Sequence, residues 1–138
     1  MNFKWNQPKR RHKRYDVSWR ALLEIDSPEF NDFMLVPIIN LSRSGALVYS
    51  PQIHIHNYHL YAAAQSDELN LIIHSPVSEL DSKVQIKHYN WDDATQGFHI
   101  GVEFKAICAK NQDVIDEIIK GIRHHTPKES SCQAFQAV

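Results

Sequence analysis

The sequence is poor in cysteine and has no long apolar run. Its only cysteines, Cys108 and Cys132, are too few for the disulfide framework of a small secreted domain and lack the paired spacing of a zinc site. The longest apolar run, Met34 to Ile39, is far too short to cross a bilayer. The start of the chain lacks the apolar stretch and cleavage site of a secretory signal. These absences predict a cytoplasmic protein without membrane insertion, in which Cys108 is a small buried side chain.

Recognisable catalytic and metal-binding patterns are also missing. There is no nucleophile elbow, no GxxxxGK[ST] phosphate loop and no pair of carboxylates in a catalytic context. Nine histidines are present, among them His54, His56 and His59, but their spacing matches no familiar zinc motif, which needs three or four converging ligands. We therefore expect no enzyme activity, no metal and no cofactor.

Charge is balanced overall but distributed unevenly. The 138 residues hold 15 Lys and Arg against 16 Asp and Glu, a net charge of -1. The first 20 residues, however, carry seven basic groups and one acidic group, which leaves eight basic and fifteen acidic groups in the other 118. A hydrophobic share of 43% suits one globular domain. The pattern therefore predicts a basic arm that binds an anion, attached to a mildly acidic body.

Alternation of apolar and polar residues predicts about six short strands. Tight polar turns separate them, at residues 26–31 and 92–97 for example, and Pro37 places its strand at an edge or a bulge. The apolar spacing after the last strand predicts one amphipathic helix, with Asn111 as a possible N-cap. The predicted strands cover residues 17–25, 33–39, 46–49, 69–73, 83–91 and 98–104, and the helix covers residues 111–122.

This pattern favours a mainly β fold, a small antiparallel barrel with the C-terminal helix over one mouth or flank. Both ends of the chain lack periodicity. We expect a single domain over residues 9–123, with flexible tails at 1–8 and 124–138.

Two short motifs are candidates for ligand binding. The first is the basic run that contains Arg10 and Arg14, which is either a solvated tail or a pair of guanidinium groups that grip phosphates or guanine edges. The second is the polar segment from Asn40 to Gly45, predicted to be a loop. It is either a simple turn, in which Gly45 supplies a positive φ, or a loop whose amides and hydroxyls face an anionic, purine-bearing ligand.

Together the two motifs resemble the PilZ family, whose signature is RxxxR followed by [D/N]xSxxG. Gly101 to Phe104 resembles the late strand of that family, and the predicted helix occupies the closing position, so the resemblance covers roughly residues 9–123. It implies a six-stranded PilZ-type barrel that senses the bacterial second messenger cyclic di-GMP. The run Lys9-Arg10-Arg11 suits two stacked ligand molecules per chain, and one molecule is the alternative.

The resemblance assigns roles to particular residues. It places the RxxxR arginines on phosphates and guanine edges, with Lys9 and Arg11 extending the same cationic run. It places Asn40, Ser42 and Gly45 against a guanine and the phosphate ring. The family often has Asp at the position of Asn40, and an uncharged amide oxygen accepts hydrogen bonds more weakly. We therefore expect weaker binding, but not its loss.

Trp91 has two interpretations, since its ring either packs half-buried on the sheet or stacks on a guanine. We expect the ligand to order the N-terminal arm and so change the surface that an effector protein meets in trans. Two alternatives stay open. One is a PilZ-like interaction module with weak or no ligand binding, and the other is a barrel for single-stranded nucleic acid, which the acidic body disfavours.

Overall fold

The computed structural model describes residues 13–105 and 107–124. Lys9, Arg10, Arg11 and the two predicted tails lie outside these residues, apart from His124, which ends the last helix. The elements follow the chain as β1 (Tyr15–Asp26), β2 (Asn31–Leu41), β3 (Gly45–Ser50), β4 (His54–Ile55), β5 (Tyr58–His59), α1 (Leu60–Gln65), β6 (Leu69–His74), β7 (Glu79–Asp92), β8 (Gly97–Phe104) and α2 (Ala109–His124).

Six of the strands form a closed barrel. Their order around it is β1-β2-β3-β8-β7-β6, and β1 closes the barrel by pairing with both β2 and β6. All neighbouring strands are antiparallel. The two short strands β4 and β5 form a separate hairpin. The mainly β, six-stranded antiparallel barrel with a C-terminal helix is therefore confirmed.

Alternation along the strands builds the core. In β1 the predicted inner face ends in Ala21, Leu23 and Ile25, all fully buried. Each fully buried Leu or Ile stabilises the fold by roughly 1.5–3 kcal/mol through removal of apolar surface from water. Helix α2 adds an apolar stripe, in which Ile115 and Ile118 are fully buried. The stripe holds α2 against the barrel.

Several local predictions were wrong. Asn111 does not cap α2 but lies in its first turn, where its side-chain amide donates to the Asp81 carbonyl at 3.1 Å. Cys108 is exposed, because it lies just before α2 rather than at the end of an inward-facing strand. The sequence predicts one helix, but the six-residue α1 is a second one, too short to show helical periodicity.

The prediction that Pro37 marks an edge or a bulge of its strand is confirmed in part. Pairing of β2 with β3 begins only at Ile38 and shifts register between Ile38 and Asn40. Pro37 therefore lies just outside that ladder, where its missing N–H costs no β2–β3 hydrogen bond.

Neither helix of the described chain is long and apolar enough to cross a membrane. Within the same residues, no group of three His, Cys, Asp or Glu side chains is placed to hold a metal ion.

Candidate functional site

Strand pairing brings the end of the basic arm beside the second motif. Tyr15 pairs with Leu41 and Asp16 pairs with Asn40, so Arg14, one residue before β1, adjoins Ser42, one residue after β2. Neighbouring strands are separated by only about 4.8 Å. Arg14 is exposed, and no carboxylate in the described part of the chain pairs with it. Its guanidinium group is therefore available to an anion.

Asn40 is not in a loop, as the sequence predicted, but in strand β2. It is opposite Leu47, which alternates with the buried Ala46 and Val48 and so faces outward. One continuous row of paired residues crosses this outer surface, and we call it the Asn40 row. It consists of Asp16, Asn40, Leu47, Gly101 and His88.

The strands are irregular at this row. Register shifts occur between Asp16 and Trp19 in β1, between Ile38 and Asn40 in β2, and between Ile86 and His88 in β7. Each shift borders a member of the Asn40 row. Bulges re-aim side chains and are over-represented next to binding sites. The three shifts therefore mark this row as the most irregular part of the barrel wall.

The Asn40 side chain has an unsatisfied acceptor. Its Oδ1 atom is shielded from solvent and accepts no hydrogen bond from any described residue. An unpaired buried acceptor costs about 1–3 kcal/mol, and such atoms are few in native proteins. A ligand N–H donor would remove this cost, which fits the predicted contact with a guanine edge.

Ser42 shapes the turn between β2 and β3. Its Oγ accepts the backbone N–H groups of Ser44 and Gly45, each at 3.2 Å, and Ser42 N–H donates to the Gly45 carbonyl at 2.9 Å. Ser42 is buried, so its hydroxyl is occupied within the turn. This geometry gives Ser42 a positioning role alongside the ligand contact that the sequence predicts.

Gly45 is required by packing, not by a positive φ. No glycine in the described chain has a positive φ, contrary to the prediction for Gly45. A Cβ at Gly45 would overlap the Val102 carbonyl oxygen of β8. The missing side chain therefore lets β3 approach β8 closely and fixes the position of the turn.

Arg43 ties the same turn to the C-terminal helix. Its Nε lies 3.0 Å from Oδ1 of Asp116, and its Nη2 lies 3.4 Å from Oδ2 of that carboxylate. The pair joins positions 73 residues apart. The sequence does not predict this contact, because nothing in an exposed Arg or Asp reveals so distant a partner.

Trp91 lies away from this surface. It pairs with Phe98, whereas the Asn40 row crosses β8 at Gly101. The three residue steps along β8 correspond to about 10 Å. Trp91 also shares a face with Phe98, which lies two residues from the inward-facing Ile100 and so on the same inner side of β8. The structure therefore does not bring Trp91 together with Asn40, which faces outward.

His88 is the aromatic residue on the Asn40 row, and the sequence pattern did not predict it there. A Cβ at Gly101 would overlap the His88 ring, so the imidazole lies across the glycine on the outer surface. The bulge after Ile86 changes which side of β7 faces outward. Sequence alternation alone cannot show such a change, since the extra residue leaves no mark in the pattern.

Among the described residues, two carboxyl groups have clearly shifted pKa values, and both lie outside the Asn40 row. Both line a polar groove of about 480 Å³, together with Lys83, Lys105 and Asn111. Burial, with Glu24 and Glu79 nearby, raises the pKa of Asp81. The hydrogen bond and charge of Lys105 lower the pKa of Asp67. Neither shift bears on the anion site.

Comparison with known proteins decides the family. The model of the PilZ domain matches residues 8–121, most of the chain. The chain belongs to the PilZ domain family. This membership confirms the resemblance carried by the two motifs and agrees with the closed six-stranded barrel.

Three solved structures are informative for the fold. The Bacillus subtilis inhibitor of motility (MotI/DgrA) has a TM-score of 0.60 and 18% identity, with 86% of this chain and 54% of that chain covered. The K. pneumonia MrkH–c-di-GMP complex has a TM-score of 0.57 and 15% identity, with 81% and 51% covered. The PilZ domain of Escherichia coli YcgR with c-di-GMP has a TM-score of 0.53 and 11% identity, with 84% and 92% covered.

These likenesses concern the fold of one domain. The chain spans about half the length of the MotI and MrkH chains that it matches. Against the isolated PilZ domain of YcgR it covers nearly the whole chain. No curated protein matches the sequence.

Proposed function

We propose that this PilZ domain is a receptor for cyclic di-GMP, which it binds on the outer surface around the Asn40 row. The observation that carries the proposal is the unpartnered Oδ1 of Asn40 on β2, in register with β1, with the exposed Arg14 two residues before Asp16, the partner of Asn40. A cyclic dinucleotide offers what these groups need, since guanine N–H groups can donate to an amide oxygen and phosphates can accept from a guanidinium. The MrkH and YcgR PilZ structures were solved with c-di-GMP, which supports the choice of ligand.

Each motif has a role in this proposal. Arg10, Arg11 and Arg14, aided by Lys9, hold the phosphates and guanine edges. Asn40 accepts from a guanine, while Ser42 and Gly45 keep the turn in the shape that presents it. In the same proposal His88 adds a flat ring on the row, suited to stacking on a base.

The residues of the Asn40 row also account for the modest affinity that we expect for cyclic di-GMP. A neutral amide acceptor gains less than a carboxylate from the same donors, because hydrogen bonds to charged groups are worth about 1.5–3 kcal/mol against about 0.5–1.5 kcal/mol for neutral ones. Asp16, paired directly opposite Asn40, would repel a carboxylate at that position. An amide avoids this repulsion and loses some ligand affinity in return.

Signalling follows from ordering of the arm. In our proposal the ligand draws residues 9–14 over the barrel, and an effector protein reads the altered surface in trans. A ligand shifts such an equilibrium only by its differential affinity for the ordered state. Its binding also carries the entropic cost of ordering the arm. Affinity should therefore fall with ionic strength, since the arm contributes mainly charge.

Calorimetry on the full chain tests the proposal. Cyclic di-GMP should give a saturable heat with one or two molecules per chain, and cyclic di-AMP, which has the same ring but lacks the guanine donors, should bind much more weakly. Native mass spectrometry of the same mixture counts the bound molecules. No saturable heat at high micromolar cyclic di-GMP, or equal affinity for the two dinucleotides, would refute it.

A further inference from the structure

Five aromatic rings cluster at the end of the barrel opposite the Ser42–Gly45 turn. The Tyr89 ring is at the centre, with its centroid 5.9 Å from that of His59, 6.4 Å from Tyr61 and 6.3 Å from Phe98. The Trp91 ring lies 5.1 Å from Phe98. We call these five residues the Tyr89 cluster. It joins β5 and α1 to the hairpin of β7 and β8.

The cluster is unusually open to solvent. Tyr61, Tyr89 and Trp91 are 41%, 40% and 49% exposed. Contiguous exposed apolar surface of this kind marks interaction sites, and Tyr and Trp are enriched there because they combine apolar area with a polar group. The cyclic di-GMP proposal makes no use of this surface, since Tyr89, Trp91 and Phe98 lie on the inner side of β7 and β8, opposite to the side that carries His88.

Charge around the cluster has one sign. Residues 58–69 and 88–99, which carry all five rings, contain four carboxylates and not a single Lys or Arg. Asp67 is neutralised by Lys105 at 2.6 Å, and Asp92 faces His99 at 3.5 Å.

Two carboxylates remain, Glu68 and Asp93, and Asp93 is the one that contacts a ring of the cluster. Its Oδ1 accepts the indole N–H of Trp91 at 2.7 Å. Its Oδ2 accepts no hydrogen bond from the described residues, and no cation there pairs with Asp93. A negative oxygen therefore borders the exposed indole ring. Aromatic faces attract cations electrostatically, and Arg is the most frequent partner in such contacts.

We propose that the Tyr89 cluster and Asp93 form a docking surface for a basic, arginine-containing segment of a partner protein. A guanidinium lies over the Tyr89 or Trp91 ring and donates to Oδ2 of Asp93, while the apolar stem of the arginine covers the neighbouring rings. Nucleic-acid phosphates and acidic segments are repelled by the same carboxylates. This surface is separate from the cyclic di-GMP site and needs no dinucleotide.

NMR on the full chain tests the proposal. The probe is the peptide RGRGRG at low ionic strength, with EGEGEG and hexaproline as matched peptides. The readout is the indole N–H signal of Trp91, assigned by its absence in Trp91→Phe. RGRGRG should shift this signal saturably, and the other two peptides should leave it in place. The titration contains no cyclic di-GMP, so its outcome is independent of the proposed receptor function.

Variants distinguish a specific binding site from general electrostatic attraction of the basic peptide to the protein. Asp93→Asn and Tyr89→Ala should each weaken RGRGRG binding at least threefold. Matched controls are Asp113→Asn, an exposed carboxylate on α2, and Phe33→Ala, an aromatic that is 56% exposed on β2, and these should bind as the unaltered chain does. Because Asp93 is exposed, Asp93→Asn should fold and give a binding measurement even if Tyr89→Ala does not fold.

Four results would overturn the proposal. They are no saturable shift, an equal shift with hexaproline, equal loss in Asp93→Asn and Asp113→Asn, and a shift that appears with protein concentration alone. The last would assign the cluster to self-association of this chain.

Discussion

Arg43 and Asp116 hold each other through two contacts, Nε to Oδ1 at 3.0 Å and Nη2 to Oδ2 at 3.4 Å. The pair fastens the turn that follows Asn40 to helix α2. Both side chains are about half exposed, so the pair contributes at most about 1 kcal/mol. Its importance therefore lies in keeping the turn in one position.

The first prediction concerns this pair. Arg43→Ala and Asp116→Ala should each reduce cyclic di-GMP affinity by up to about fivefold, which corresponds to about 1 kcal/mol. The physical reason is that a released turn must be reordered when the ligand binds. Calorimetry of the two variants measures the effect. If Asp116→Ala strengthens binding while Arg43→Ala weakens it, Arg43 acts as a free cation for the ligand and not as a tether.

The second prediction compares two glycines. Gly101→Ala should destabilise the barrel by about 1–3 kcal/mol, because the new Cβ displaces the His88 ring. Gly45→Ala should cost at least as much, because its Cβ meets the Val102 carbonyl of the β8 backbone, which cannot rotate away. Urea unfolding gives both values.

A second substitution, His88→Ala, distinguishes the effects of the two glycines. Adding His88→Ala should recover most of the stability lost in Gly101→Ala and none of that lost in Gly45→Ala. Equal recovery in both backgrounds, or in neither, would contradict the packing described for the outer surface.

The third prediction concerns Asn40. Without ligand, Asn40→Ala should leave stability unchanged or raise it, because an unsatisfied buried acceptor is removed. The same variant should bind cyclic di-GMP more weakly. Thermal unfolding and calorimetry measure the two effects. A clear loss of stability in the ligand-free variant would show that the Asn40 oxygen has a partner within the protein.

Asn40→Asp tests the same atom in the opposite direction. A charged acceptor should raise affinity about fivefold, a gain of about 1 kcal/mol. Ligand-free stability should fall, because Asp16 lies directly opposite on β1. Lower affinity in this variant would argue against a guanine donor at this position.

The fourth prediction concerns pH. The folded protein raises the pKa of Asp81 above its ordinary value, mainly through burial, so ionisation of Asp81 opposes folding at neutral pH. The penalty is absent below the unfolded pKa and develops as pH rises through the folded pKa. Asp81→Asn should therefore stabilise the protein at pH 7, and the gain should vanish in acid. The backbone contact from Asn111 is retained. A gain that persists unchanged at low pH would show that charge is not its cause.

Sequence patterns predicted the barrel well because alternation reports burial directly. The inner faces of β1 and β8 follow it residue by residue, for example at Leu23 and Ile100. Prediction failed where the chain is irregular or short. The bulge before His88 reversed the outward face of β7, and the six residues of α1 are less than two helical turns.

The candidate site was predictable in part. Family motifs located Arg14 and Asn40, and strand pairing brought them together. The distance of Trp91 from Asn40 depends on the register of four strands, β2, β3, β8 and β7, which local sequence does not encode. The ion pair of Arg43 with Asp116 likewise depends on how α2 packs, a tertiary property.

The central claim is that Arg14 and the Asn40 row bind cyclic di-GMP, and calorimetry of Arg14→Ala against Arg20→Ala tests it most directly. Both arginines are exposed near β1, but Arg20 pairs with Pro37 and His74 in the middle of the sheet, away from the Asn40 row. Loss of a charge-assisted contact should cost Arg14→Ala about 1.5–3 kcal/mol, a roughly ten- to hundredfold weaker affinity, while Arg20→Ala binds as the unaltered chain does. Equal affinities of the two variants would contradict the account.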